Sequence, residues 1–145
     1  MNWRLILSLS LLGIVLGIAS EFGFTSGREW LAWLCIGIYS AWRFARRSRE
    51  ELFLHGFYLG ILAVFFSSII QALFISTYLG NNPRMVEALN ALPQGLHPAA
   101  VVLIMGPIIG TVSGVAFGAL AVVVGKLVRP RPSAPSTMTR NGHTI

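Results

Sequence analysis

Few residues in this 145-residue chain could do chemistry, and their spacing argues against catalysis. Aspartate is missing, and the five glutamates are Glu21, Glu29, Glu50, Glu51 and Glu87, scattered among apolar runs. General acid–base work needs two groups that converge on one reacting atom. Glu50 and Glu51 are adjacent and diverge by about 100° on a helix, so they cannot face one another. His55, His97 and His143 lack the H-E-x-x-H spacing that puts two metal ligands on one helix face. No G-x-S-x-G elbow is present, and no glycine loop ends in the Lys-Ser/Thr that cradling phosphate requires. Cys35 stands alone, which excludes an internal disulfide and a C-x-x-C redox or metal motif. No catalytic, cofactor-binding or metal-binding residue follows. The expectation is a protein that is not an enzyme and carries no cofactor.

Polar groups inside the apolar segments are equally sparse. Gln71 is the one amide well within such a segment, and its expected partner is Thr111 or Ser113 on another helix. With Ser67, these residues are the only candidates for a polar path. His55 is expected at a boundary with water, titrating freely. Glu21 is expected to pair with Arg28 across a short loop.

The composition says where such a chain sits. It is 54% hydrophobic and 11% charged, against about 25% charged in soluble domains, and its mean hydropathy is +0.70. So few charges cannot cover a water-exposed surface. The net charge of +6 could suggest a nucleic-acid partner, but the basic residues lie between or beyond apolar runs and form no stripe. A nucleic-acid partner is therefore excluded.

The expected fold is all-α: an integral membrane protein with four transmembrane helices at about 5–24, 27–46, 52–79 and 99–128. The second span is the shortest in uncharged residues, but Ser26-Gly27-Arg28-Glu29 has the form of a capping box that would start it. The third exceeds a perpendicular crossing and should tilt or project. Pro107 should kink the fourth near Leu103. Residues 1–129 form one transmembrane domain, and the Pro-, Ser- and Thr-rich residues 130–145 read as a disordered tail. Gly17 and Ala19 are spaced like a cleavage site, yet the apolar run continues through Phe24, so a retained helix is expected.

Orientation follows from the cations. Four spans put Arg4, Arg43, Arg46, Arg47, Arg49, Lys126, Arg129, Arg131 and Arg140 on one side, against Arg28 and Arg84 on the other. Nine against two places both termini in the cytoplasm. Arg43, Arg46, Arg47 and Arg49 are then expected to touch anionic lipid headgroups. In the outer loop, Asn82 suits an N-cap and Pro83 the first helical position. Met85, Leu89 and Leu92 share a face, so residues 83–92 should form a short amphipathic surface helix between spans three and four.

Glycine patterning suggests how the spans hold together. Gly106, Gly110, Gly114 and Gly118 recur at every fourth position, extended by Ala121 and Gly125. The third span carries Gly56 and Gly60, continued by Ala63, Ser67 and Gln71, and the first carries Gly13 and Gly17. In lipid, helices associate through close backbone approach, which small residues permit. A glycine zipper within one four-helix bundle is the expected use; the same face could also build a homo-oligomer or a larger membrane complex.

The stretches IYSAWRFARR, FLHGFYLGILAVFFSSIIQALFISTYLGNNPRMVEAL and MGPIIGTVSGVAFGALAVVVGKLVRPRP carry a further signal. Over roughly residues 38–132 the chain resembles a family of small bacterial four-span membrane proteins with a domain of unknown function. The features shared are a basic turn before a glycine-containing third span, then Tyr78 followed by Asn82-Pro83, then a glycine-rich last span closed by Lys126, Arg129 and Arg131. The resemblance implies fold, topology and a bacterial cytoplasmic membrane, and no activity. The expected role is structural or accessory, such as scaffolding a membrane complex. The alternative is a small channel or transporter with a polar path near Gln71 and Thr111.

Overall fold

A computed structural model describes residues 1–24, 29–47, 51–91 and 95–128. Among them every regular element is helical: α1 (Trp3–Ser10), α2 (Leu12–Glu21), α3 (Glu29–Arg47), α4 (Leu52–Leu73), α5 (Ile75–Asn81), α6 (Pro83–Asn90) and α7 (Pro98–Val128). Lipid offers no partner for backbone N–H and C=O groups, and a helix satisfies them within one segment. Three stretches are long and apolar enough to cross a membrane: Trp3–Glu21, Leu52–Leu73 and Pro98–Val128. This is a membrane-protein fold.

α1 and α2 are two parts of one path. Leu11 keeps right-handed dihedrals between them, and its N–H bonds Leu7 O at 3.2 Å. The Ser8 and Ser10 hydroxyls donate back to Leu5 O and Leu7 O at 3.0 and 2.9 Å. Such back-bonding bends helices. α2 stops at a left-handed Gly23 with φ of 69°. Phe24 N–H reaches Ala19 O and Gly23 N–H reaches Ser20 O, at 3.2 and 3.1 Å. That pattern is a Schellman stop, and only glycine enters it without a Cβ penalty.

The segment expected as one span over 52–79 is divided instead. α4 ends at Leu73, Phe74 leaves the helical region with φ −111° and ψ 35°, and α5 restarts at Ile75. The break lets α5 turn over the end of α2. There the Asn81 amide donates to Glu21 O at 2.7 Å, and the Asn82 amide donates to Ser20 O at 3.2 Å. Asn82 stands at the N-cap position of α6, but its side chain makes no capping bond because it is committed to Ser20 and Tyr78 carbonyls. α6 exposes Arg84, Glu87 and Asn90 and half-buries Met85, Val86 and Leu89. α7 is helical through Pro107; at about 1.5 Å per residue its 31 residues reach about 46 Å, well beyond a ~30 Å hydrocarbon core.

α3 buries Gly37, Ser40, Ala41, Phe44 and Ala45, a spacing that marks one helix face. That face meets a core of Leu5, Ile6, Leu9, Leu59, Phe117 and Ala121. Its other side exposes Trp30, Leu31, Leu34, Ile38 and Tyr39. Arg46 and Arg47 occupy its last turn, where cations suit the helix dipole. Arg28, Arg49, Leu92, Pro93 and the tail lie outside the described residues.

Candidate functional site

The feature built with most care is a seam between antiparallel α4 and α7. Gly106, Gly110, Gly114, Gly118, Ala121 and Gly125 are all buried along it. A methyl group placed on Gly60 would sit 2.5 Å from both Cα and N of Gly114. One on Gly114 would sit 2.6 Å from Phe57 O, and one on Gly118 2.8 Å from Phe53 O. Gly56 packs directly on the Phe117 carbonyl, and Gly125 on the Leu52 side chain. Farther along, Gly106 faces the Ser68 hydroxyl and Gly110 faces Ile61. Real Cβ atoms do not approach backbone so closely as they would at Gly56, Gly60, Gly114 and Gly118, so those four positions hold hydrogen because two main chains occupy the space.

α1–α2 closes on the neighbouring side of α4. Gly13 packs on the Ala63 backbone, and a methyl on Gly17 would lie 3.2 Å from Ser67 Cα. The small-residue stripe of α4 is therefore shared: Gly56 and Gly60 serve α7, while Ala63 and Ser67 serve α2. Gly37, which sequence reasoning did not single out, lets α3 approach Phe117, with Trp33 and Phe117 ring centroids 6.3 Å apart.

The four polar-path residues are not brought together. Gly60 meets the backbone at Ser113–Gly114, so Gln71 stands roughly 16 Å farther along α4 by helical rise. Ser67 is buried against α2 and Ser113 is half-buried at the seam. Thr111 is exposed, and its hydroxyl donates to Pro107 O on its own helix at 2.8 Å. The expected bond between Gln71 and Thr111 or Ser113 has no geometric basis, because antiparallel register puts them at different depths.

His55 also departs from expectation. It is 1% exposed rather than open to water. Its Nε2 accepts from Asn2 N–H at 3.0 Å, while Nδ1 lies 2.9 Å from Glu51 O. A carbonyl can only accept, so Nδ1 carries the proton and the ring is the neutral tautomer. Phe44 packs beside it at 5.3 Å between ring centroids. The imidazole thus ties the starts of α1 and α4 to the end of α3. A histidine four residues after a glutamate pair in an apolar run gave no sequence sign of this.

The cations gather where that tie is made. Arg4 follows Asn2, Arg43 precedes Phe44, and Lys126 follows Gly125, so all three sit at the His55 end. Arg46 stacks its guanidinium 4.5 Å from the Trp42 ring centroid. Arg43 is half-buried, and its Nε has no hydrogen-bond partner among the described residues. Among the described residues no three His, Cys or Glu side chains cluster closely enough to hold a metal ion. No protein-family model matches the chain, and neither a curated protein nor a solved structure matches it.

Proposed function

We propose that this chain is a multi-pass protein of the bacterial cytoplasmic membrane with a structural or accessory role, crossing four times with both termini in the cytoplasm. The carrying observation is the glycine seam. Close main-chain contact between the first half of α4, from Phe53 to Ile61, and α7 gives rigid packing, and it leaves no room for a solute between those stretches. The fourth crossing in this proposal is α3. Support for it comes from an outward face made of tryptophan, leucine, isoleucine and tyrosine, with its charges confined to its first residue, Glu29, and its last five residues. Membership of the family of small four-span proteins with a domain of unknown function is part of the same proposal, supported by the joint use of Tyr78, Asn81 and Asn82 at the α5 turn.

The cytoplasmic end is the basic one. There Arg43, Arg46 and Arg47, with Arg49 beyond the described residues, meet anionic headgroups, each contributing ~1 kcal/mol near such a surface. α6 lies on the outer surface with Met85, Val86 and Leu89 toward lipid or bundle. The scarcity of convergent acid, base and nucleophile supports a non-catalytic role. Solute flux in proteoliposomes separates this role from a channel or transporter. No flux above empty vesicles is expected; flux abolished by Gln71→Leu would replace the structural reading with the transport one.

A further inference from the structure

At the end of the bundle away from the cations, the chain buries a carboxylate. Glu21, the last residue of α2, is 4% exposed. Both of its carboxylate oxygens are shielded from water and lack a hydrogen-bond partner among the described residues. The Asn81 amide satisfies the Glu21 backbone carbonyl, not the side chain. A carboxylate in that state is among the costliest groups a protein can keep, so it either takes up a proton or meets a countercharge. Beside it opens a cavity of about 340 Å³, lined by Ile18, Glu21, Phe22, Ile70, Phe74 and Thr77. That volume suits a small ligand.

The lining selects a chemical class. Ile18 and Ile70 offer apolar wall, and Phe22 and Phe74 add aromatic rings, a side-chain type whose faces attract cations. One carboxyl and one hydroxyl are too few oxygens for a hard metal ion, which needs about six. A neutral hydrophobe would fill the space and leave the carboxylate uncompensated. We propose that this cavity binds an organic ammonium-type cation with an apolar body, with Glu21 as its counter-ion and Phe22 and Phe74 as aromatic walls. The oxygens lie behind the cavity wall, so engagement rotates the Glu21 side chain toward the ligand. The break at Phe74 acquires a purpose in this arrangement, since it sets the Phe74 ring beside the cavity that α2 borders.

Equilibrium dialysis of the purified chain in dodecyl maltoside, with radiolabelled benzyltrimethylammonium, tests the site. Saturable binding is expected, and the neutral isostere neopentylbenzene should not displace it. Glu21→Gln should weaken binding by about tenfold or more. Ile70→Trp should block it by filling the space, with thermal unfolding checking that both variants fold. Arg28→Gln removes the cation nearest to Glu21 in sequence and should leave binding equal or tighter. Displacement by phosphatidylethanolamine but not phosphatidylglycerol would identify a lipid ammonium as the natural ligand; displacement by neither would identify a soluble cation. No saturable binding, equal affinity in a folded Glu21→Gln protein, displacement by neopentylbenzene, or loss of binding in Arg28→Gln would each overturn the proposal.

Discussion

Replacing Gly60 with alanine adds one methyl group where α4 and α7 meet, and the structure fixes what that methyl must do. It would lie 2.5 Å from Gly114 Cα and N. Ordinary contact begins near 3.4 Å, so the two helices must part by about 1 Å, because the obstacle is backbone and cannot rotate away. A gap of that size forfeits a quarter to a half of each facing dispersion contact, worth ~0.1–0.2 kcal/mol. Over a few tens of atom pairs the loss comes to roughly 1–3 kcal/mol, which is also the usual range for overpacking a core. Two other glycines calibrate the result. Gly110→Ala meets Ile61 Cα at 3.2 Å and needs only a few tenths of an ångström. Gly80→Ala in α5 meets nothing within 4 Å, and should gain about 0.5–1 kcal/mol from the helix propensity of alanine. Thermal unfolding in one detergent should therefore rank Gly80→Ala above the parent, Gly110→Ala slightly below it, and Gly60→Ala lowest. Equal stability of Gly60→Ala and Gly80→Ala would refute the reasoning, since it would mean the seam does not set the bundle's stability.

Other perturbations read other parts of the fold. His55→Leu keeps bulk but strands Asn2 N–H, while Glu51 O still accepts from the residue 55 backbone N–H; a cost of ~1–3 kcal/mol is expected in the same unfolding assay. Asn82→Ala removes the amide shared between Ser20 and Tyr78 carbonyls; a loss of about 1 kcal/mol is expected, with faster amide exchange at Gly23 and Phe24. Cys35 is the single cysteine and lies exposed on α3. In proteoliposomes a charged thiol reagent should fail to label it and succeed after detergent is added; rapid labelling before detergent would place that face in water and remove α3 from the membrane.

Size, not polarity, is what made the seam legible. α7 is apolar on every side: it exposes Ile104, Ile108, Ile109, Val112 and Val123 while burying glycine and alanine. Amphipathic periodicity, the usual guide to a buried face, therefore says nothing about this helix. The recurrence of Gly106, Gly110, Gly114 and Gly118 does, because only small residues let two backbones touch. The polar path failed for a related reason. Sequence gives the face of Gln71, Thr111 and Ser113 on their own helices, but not the antiparallel register that sets their depths. The break at Phe74 was hidden as well, since no proline or glycine marks it. What draws α5 away from α4 is Asn81 and Asn82 reaching the end of α2, some 60 residues distant in sequence. The burial of His55 likewise depends on three helix ends meeting, which no local pattern encodes.

The connectivity of these ends bears on the number of crossings. α1 begins beside His55, at the foot of α4. α2 ends beside Asn81 and Asn82, beyond the far end of α4. If both α1–α2 and α4 cross the bilayer, they run the same way, and the chain must return between residues 24 and 51. Nineteen residues of α3 supply about 29 Å of helix for that return, close to the ~30 Å of hydrocarbon. Phe44, near the end of α3, does arrive beside His55. α3 fails as an obvious span because Glu29, Arg43, Arg46 and Arg47 crowd its ends, where long cationic side chains can reach water. A three-span arrangement would have to carry the same return path through water, with Trp30, Leu34, Ile38 and Tyr39 exposed along it. Those side chains are far less costly against acyl chains, and that difference is the physical ground for proposing α3 as a fourth crossing.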